Sequence, residues 1–179
     1  MNKKVLLLVC FVAVGSCLGN KLYADEHKYI GAGKCKICHS SGSKGNQYKI
    51  WAESKHAKAY EDLASEEAKK TAEKVNLKCD PQKAPECLKC HVTTFGVKDD
   101  LKEESFDITN GVQCESCHGA GSDYKGLSTM KDKQKSIAAG LIVPTKESCV
   151  KCHNPESPNY KEFNYDEFYK KIAHPLPKS

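Results

Sequence analysis

Four times in 179 residues the chain reads Cys-x-x-Cys-His: Cys35-Lys36-Ile37-Cys38-His39, Cys87-Leu88-Lys89-Cys90-His91, Cys114-Glu115-Ser116-Cys117-His118 and Cys149-Val150-Lys151-Cys152-His153. Zinc centres use paired cysteines but do not need a histidine directly after every pair. A disulfide framework does not need it either, and cysteines this close in sequence close loops too short to staple a fold. Thioredoxin-like chemistry uses one such pair in a βαβ setting, which this sequence does not offer. The repeated pattern fits covalent haem attachment, in which two thiols become thioethers and the adjacent imidazole reaches the iron. Four motifs imply four covalently bound c-type haems. Cys35, Cys38, Cys87, Cys90, Cys114, Cys117, Cys149 and Cys152 are the attachment points, and His39, His91, His118 and His153 the proximal iron ligands.

Haem is added to c-type cytochromes outside the cytoplasm, and the N-terminus suits that compartment. Met1–Lys4 is a cationic start, and Val5–Gly15 is an uncharged apolar run of eleven residues. That is the size of a signal-peptide core and too short to span a bilayer. Cleavage after Ala24 divides the chain into a signal peptide, residues 1–24, and one domain, residues 25–179, placed in the periplasm. Val14-Gly15-Ser16-Cys17 forms a weak lipobox, so membrane attachment is expected only if Cys17 is lipidated. Losing Lys3, Lys4 and Lys21 lowers the net charge from +5 to +2. Every basic residue is lysine. The absence of arginine argues against a nucleic-acid reader, which relies on guanidinium forks.

The mature chain is too polar to offset its conformational entropy with side-chain burial alone. Haems are expected to fill the interior. Of eleven cysteines, Cys10 and Cys17 lie in the leader and Cys79 is left over; it is expected to be a free, partly buried thiol. Residues 28–47 read as Gly/Ser/Lys-rich loop. Ala52, His56, Tyr60 and Leu63 share one stripe, which predicts a long helix from about residue 47 to 75. Pro81 and Pro85 then break the chain. Residues 101–111 read as loop or short strand, residues 130–139 as a short helix, and the aromatic stretch 160–171 as a third helix. The fold class is mainly α with long loops, a compact multihaem cytochrome c fold built around four covalently attached haems.

Four irons have eight axial positions, and the motifs fill four. The mature chain offers three more histidines, His27, His56 and His174, and one methionine, Met130. His56 sits among small neighbours near Trp51 and Tyr60, with room for a haem plane. His174 follows the aromatic stretch. His27 lies near the mature N-terminus, and Met130 twelve residues beyond His118. Unless all four are recruited, one iron is open.

The chain resembles the tetrahaem cytochrome c-554 family. The resemblance rests on Gly33-Lys34-Cys35-x-x-Cys38-His39, Trp51-x-x-Ser54-x-His56-Ala57-x-Ala59 and Asp80-Pro81. It continues in Cys87-x-x-Cys90-His91-Val92-x-x-Phe95-Gly96, Gly111-Val112-x-Cys114-Glu115-Ser116-Cys117-His118-Gly119-x-Gly121, and the tail Phe163-x-Tyr165 leading to His174. The resemblance implies closely packed haem pairs, with His56 and His174 as distal ligands of two haems. It also implies that the haem on His91 lacks a distal protein ligand. The family's further distal histidine, about ten residues after the third motif, is absent here, where the chain reads Gly126-Leu127-Ser128-Thr129-Met130. That leaves Met130, His27 or an open site for the haem on His39.

The expected function is electron transfer through the four haems, as a carrier rather than an enzyme, since no nucleophile–base constellation is visible. The partners expected are redox proteins, either another multihaem cytochrome or a quinol-linked donor. The alternative is small-molecule redox catalysis, such as nitric oxide reduction, at an open iron.

Overall fold

The computed structural model describes residues 27–174. The expected signal peptide, the expected cleavage site after Ala24 and Cys17 lie outside these residues. Among the described residues the architecture is mainly helical. Ten short helices and three single 3-10 turns are joined by long loops, and one isolated parallel bridge links Tyr29 with Lys102. No helix among them is long and apolar enough to cross a membrane.

The motifs nucleate helices. Motif 1 lies in α1 (Ala32–His39), motif 2 in α5 (Pro85–His91) and motif 3 in α6 (Cys114–His118). Motif 4 begins in α9 (Lys146–Val150), and Cys152 and His153 continue the turn through bonds from their N–H groups to the Cys149 carbonyl. The region expected to be loop around the first motif is therefore helical from Ala32. Pro85 opens α5 at its first turn, where a missing N–H costs nothing.

The long helix expected over 47–75 is three pieces: α2 (Gln47–Ala52), α3 (Ala59–Asp62) and α4 (Glu66–Lys74). The break has a definite cause. The His56 carbonyl accepts from Val112 N–H at 2.9 Å and from Ala59 N–H at 3.2 Å, so it does not serve an i+4 partner. The Ser54 hydroxyl bonds back to the Trp51 carbonyl at 2.6 Å and closes α2. Ser65 caps α4, accepting from Ala68 N–H at 3.1 Å. The helix expected at 130–139 likewise divides into α7 (Leu127–Met130) and α8 (Lys133–Ala138), because Asp132 caps the second piece by accepting from the N–H groups of Gln134 and Lys135. The last helix, α10 (Tyr165–Ile172), starts later than expected, at the Asn164 cap.

The apolar core is small. Its buried members are Ile30, Ala32, Trp51, Ala59, Leu63, Ala72, Ala84, Val92 and Tyr124, and four of these are alanines. Leu127, Ile137, Ile142, Val143 and Val150 meanwhile remain exposed. A polypeptide of this size cannot stand on so little side-chain burial. Cys79 is a correction to the sequence reading: it is exposed, on the bend between α4 and Pro81, rather than partly buried.

Candidate haem-binding site

Motif 1 is tied to motif 3 by side chains reaching across 81 to 85 residues of sequence. Glu115 Oε1 accepts from the N–H groups of Ile30 (2.9 Å) and Gly121 (2.8 Å), and Oε2 from Gly31 N–H at 2.8 Å. Gln113 Oε1 accepts from Ala32 N–H at 2.8 Å. Gly31 and Ala32 supply free donors at the start of α1, which has no side-chain cap of its own. Glu115 is buried, and desolvation outweighs its three donors to raise its pKa. The clasp brings the sulfurs of Cys35 and Cys114 within hydrogen-bonding reach of one another.

Motifs 2 and 4 form a second neighbourhood. Cys90 and Cys152 interact directly; burial first, then Cys90, pushes the Cys152 thiol up to about 12. Cys149 is near enough to Cys117 to add to the burial that raises the latter. The attachment points therefore run in the order motif 1, motif 3, motif 4, motif 2.

Two pairs of imidazoles lie opposite one another. His56 faces His153 with ring centres 6.0 Å apart, and His174 faces His118 at 5.9 Å. Two imidazoles on one metal, each nitrogen about 2 Å from it, place their ring centres about 6 Å apart. Burial lowers the pKa of His56, His118, His153 and His174 and so favours the neutral, ligating form. Nδ1 of His118 lies 3.1 Å from the Ile142 carbonyl, and Nδ1 of His91 lies 2.6 Å from the Ala59 carbonyl. A carbonyl can only accept, so Nδ1 carries the proton and Nε2 is left for a metal. His153 also stacks on Phe163 at 4.8 Å, and a pocket beside it is lined by Cys152, Tyr160, Phe163 and Phe168.

The other candidates occupy different settings. His39 Nδ1 lies 3.3 Å from Gln47 Oε1. His27 Nδ1 lies 2.6 Å from Asp123, and its ring sits against Gly140, whose added Cβ would meet Nε2 at 2.8 Å. The Met130 sulfur lies 3.9 Å from the Ser136 hydroxyl. The residues fit haem. Two imidazole pairs have the spacing of a shared iron, apolar side chains stand uncovered, and the buried Thr94 hydroxyl lacks a partner among the described residues.

Sequence reading missed the supporting groups. Gly111 is one: its φ is +65°, and a Cβ there would stand 2.7 Å from the His56 carbonyl. Its neighbour Val112 accepts the Trp51 indole N–H at 2.8 Å. The Trp51-to-Ala59 block thus sets His56 against motif 4 and offers the Ala59 carbonyl to motif 2. A glutamate inside the third motif was the visible signal for the Glu115 clasp.

A family model described as "Cytochrome c554 and c-prime" matches residues 34–119. Cytochrome c-554 of Nitrosomonas europaea is 34% identical over 151 residues, which is 75% of this chain and 61% of that protein. The chain thus spans about three-fifths of that relative's length. The solved structure of the reduced state of cytochrome c554 from Nitrosomonas europaea matches with a TM-score of 0.60 and 27% identity, over 82% of this chain and 83% of that one. Motif order, sequence identity and fold make the chain similar to the multihaem c-type cytochromes of the cytochrome c-554 family.

Proposed function

We infer that this protein is a periplasmic electron carrier with four c-type haems, one on each Cys-x-x-Cys-His motif, in a mature domain of residues 25–179. When bound, haem supplies one-electron chemistry between ferric and ferrous iron. The chain's contribution is spacing and ligation. The neighbouring Cys35 and Cys114, and Cys90 and Cys152, support two closely packed pairs, and the Cys117–Cys149 approach joins them into one path.

The observation that carries this reading is the pair of facing imidazoles. It supports a reading with His56 as distal ligand at motif 4 and His174 at motif 3. With both engaged, motifs 1 and 2 are left with His27 and Met130. We assign motif 2 the open iron and motif 1 a weaker ligand from that pair. An open iron also supports the second reading, reduction of a small ligand such as nitric oxide there.

The test is a spin-state count by magnetic circular dichroism on the native protein, His56→Ala and His174→Ala. Each substitution should convert one low-spin iron to high-spin without loss of haem, since attachment depends on the motif cysteines. Spectra unchanged in both variants would remove the assignment. In the native protein, a high-spin component that responds to carbon monoxide keeps the second reading; four unresponsive low-spin irons end it.

A further inference from the structure

From His27 to Ala52 the chain carries five lysines, Lys28, Lys34, Lys36, Lys44 and Lys49, and no aspartate or glutamate. The stretch folds as one local unit of α1, the 3-10 turn at Gly42–Lys44 and α2. Lys36 Nζ lies 5.4 Å from the centre of the Tyr48 ring, and Gln47 approaches His39. On α1, Cys35, Cys38 and His39 share one side; at 100° per residue Ile37 points the opposite way. Ile37 is 78% exposed; Lys34 and Lys36 flank it on α1 and are exposed, as is Lys44 on the 3-10 turn that follows.

The other motifs do not present this face. In motif 2, Lys89 pairs with Glu156 at 3.1 Å. In motif 3 the residue after the first cysteine, where motif 1 has Lys36, is the buried Glu115. In motif 4, Glu147 lies two residues before Cys149. Among the described residues, the acidic groups recorded beside the motif 1 stretch lie at its rims. Glu53 meets Lys49 at 3.7 Å, both largely exposed, a weak contact. On the other side Glu103 is held by Lys125 at 2.7 Å, and Glu104 shares a groove with Lys28 and Lys34.

We propose that the lysine-ringed face around Ile37 is the docking surface through which an acidic redox protein exchanges electrons with the haem of motif 1. An apolar centre inside a charged rim is the anatomy of an encounter surface, and unpaired charge of one sign steers a partner of the other. The partner is a protein whose redox centre lies behind an apolar contact fringed by carboxylates. Each encounter moves one electron: the partner's centre is oxidised by one and one iron here is reduced by one, or the reverse, with no bond made or broken. This proposal rests on the electron-carrying reading above.

The experiment uses the haem-loaded protein and a gold electrode coated with a carboxylate-terminated monolayer as the acidic probe. Three proteins are compared: native, Lys34→Glu/Lys36→Glu/Lys44→Glu, and a control with equal charge change on exposed lysines elsewhere, Lys133→Glu/Lys146→Glu/Lys151→Glu. The first variant should lose about tenfold or more in surface affinity at low salt, and the control about threefold or less. A milder Lys34→Gln/Lys36→Gln/Lys44→Gln variant, checked for full haem content, should fall between native and the glutamate variant. Equal losses in variant and control would overturn the proposal by showing that net charge alone acts, and so would no loss in the variant. A soluble mediator separates the two levels. Haems that exchange electrons with the mediator while docking is unaffected refute this face alone; haems that exchange none refute the electron-carrying reading itself.

Discussion

Gly111 shows how a candidate ligand such as His56 can be positioned by a residue distant in sequence. Its backbone sits at φ +65° and ψ −132°, a region essentially reserved for glycine, and its Cα faces the His56 carbonyl. Gly111→Ala should cost about 2 kcal/mol or more in backbone strain and push the His56 segment away. Thermal unfolding checks the stability loss, and a rise in high-spin iron checks the displacement of His56 from His153. The His27–Asp123 contact makes a second prediction at this scale. The His27 hydrogen bond, followed by that of Ser122, lowers the Asp123 pKa below its ordinary value. A carboxylate depressed in the folded state contributes stability above its unfolded value, and that stability is lost as pH falls through the folded one. Protease nicking near His27 should therefore increase once pH drops below about 4, and in Asp123→Asn it should already be high at pH 7. Equal nicking of both proteins at every pH would mean the contact does not hold this segment. The motif cysteines and histidines, His56 and His174 could be singled out in the sequence by residue type and spacing, and the structure sets His56 opposite His153 and His174 opposite His118. The contacts of Glu115 with Ile30 and Gly31, of Gln113 with Ala32 and of Gly111 with His56 were not legible there, because each joins segments 55 or more positions apart.

At the scale of elements, the sequence reading found the helical segments and misjudged their continuity. Ala52, His56, Tyr60 and Leu63 do fall on a 3.6-residue stripe, and that periodicity suggested one helix. Periodicity records which side chains turn inward. It cannot record that the His56 carbonyl is claimed by Val112, which ends the intrahelical ladder. The same blindness joined α7 to α8 across the Asp132 cap. Because α4 carries no motif and is capped locally, it should be energetically separable from the haem ligands. Ser65→Ala removes the acceptor for Ala68 N–H and should cost about 1 kcal/mol. Denaturant unfolding reads that loss, while the low-spin haem bands should stay as in the native protein. A change in those bands would show that α4 supports His56 after all.

For the whole molecule, the order of causes runs from cofactor to fold. Nine buried apolar residues, four of them alanine, cannot organise 148 described residues, whereas four planar cofactors between short helices can. The helices are short, and the motif helix α1 is fixed by clasps such as Glu115 and not by a long packed face. The fold class and the haem chemistry were legible in the sequence from four motifs and a polar composition. The pairing of motif 1 with 3 and of 2 with 4 was not, since it depends on contacts between distant segments. The central claim is that each of the four motifs binds one haem covalently. The mass of the denatured mature chain tests it most directly, because thioether-bound haem survives unfolding while zinc and loosely bound cofactor do not. That mass should exceed the polypeptide by four haems; an excess of three or fewer, or none at all, would contradict the claim.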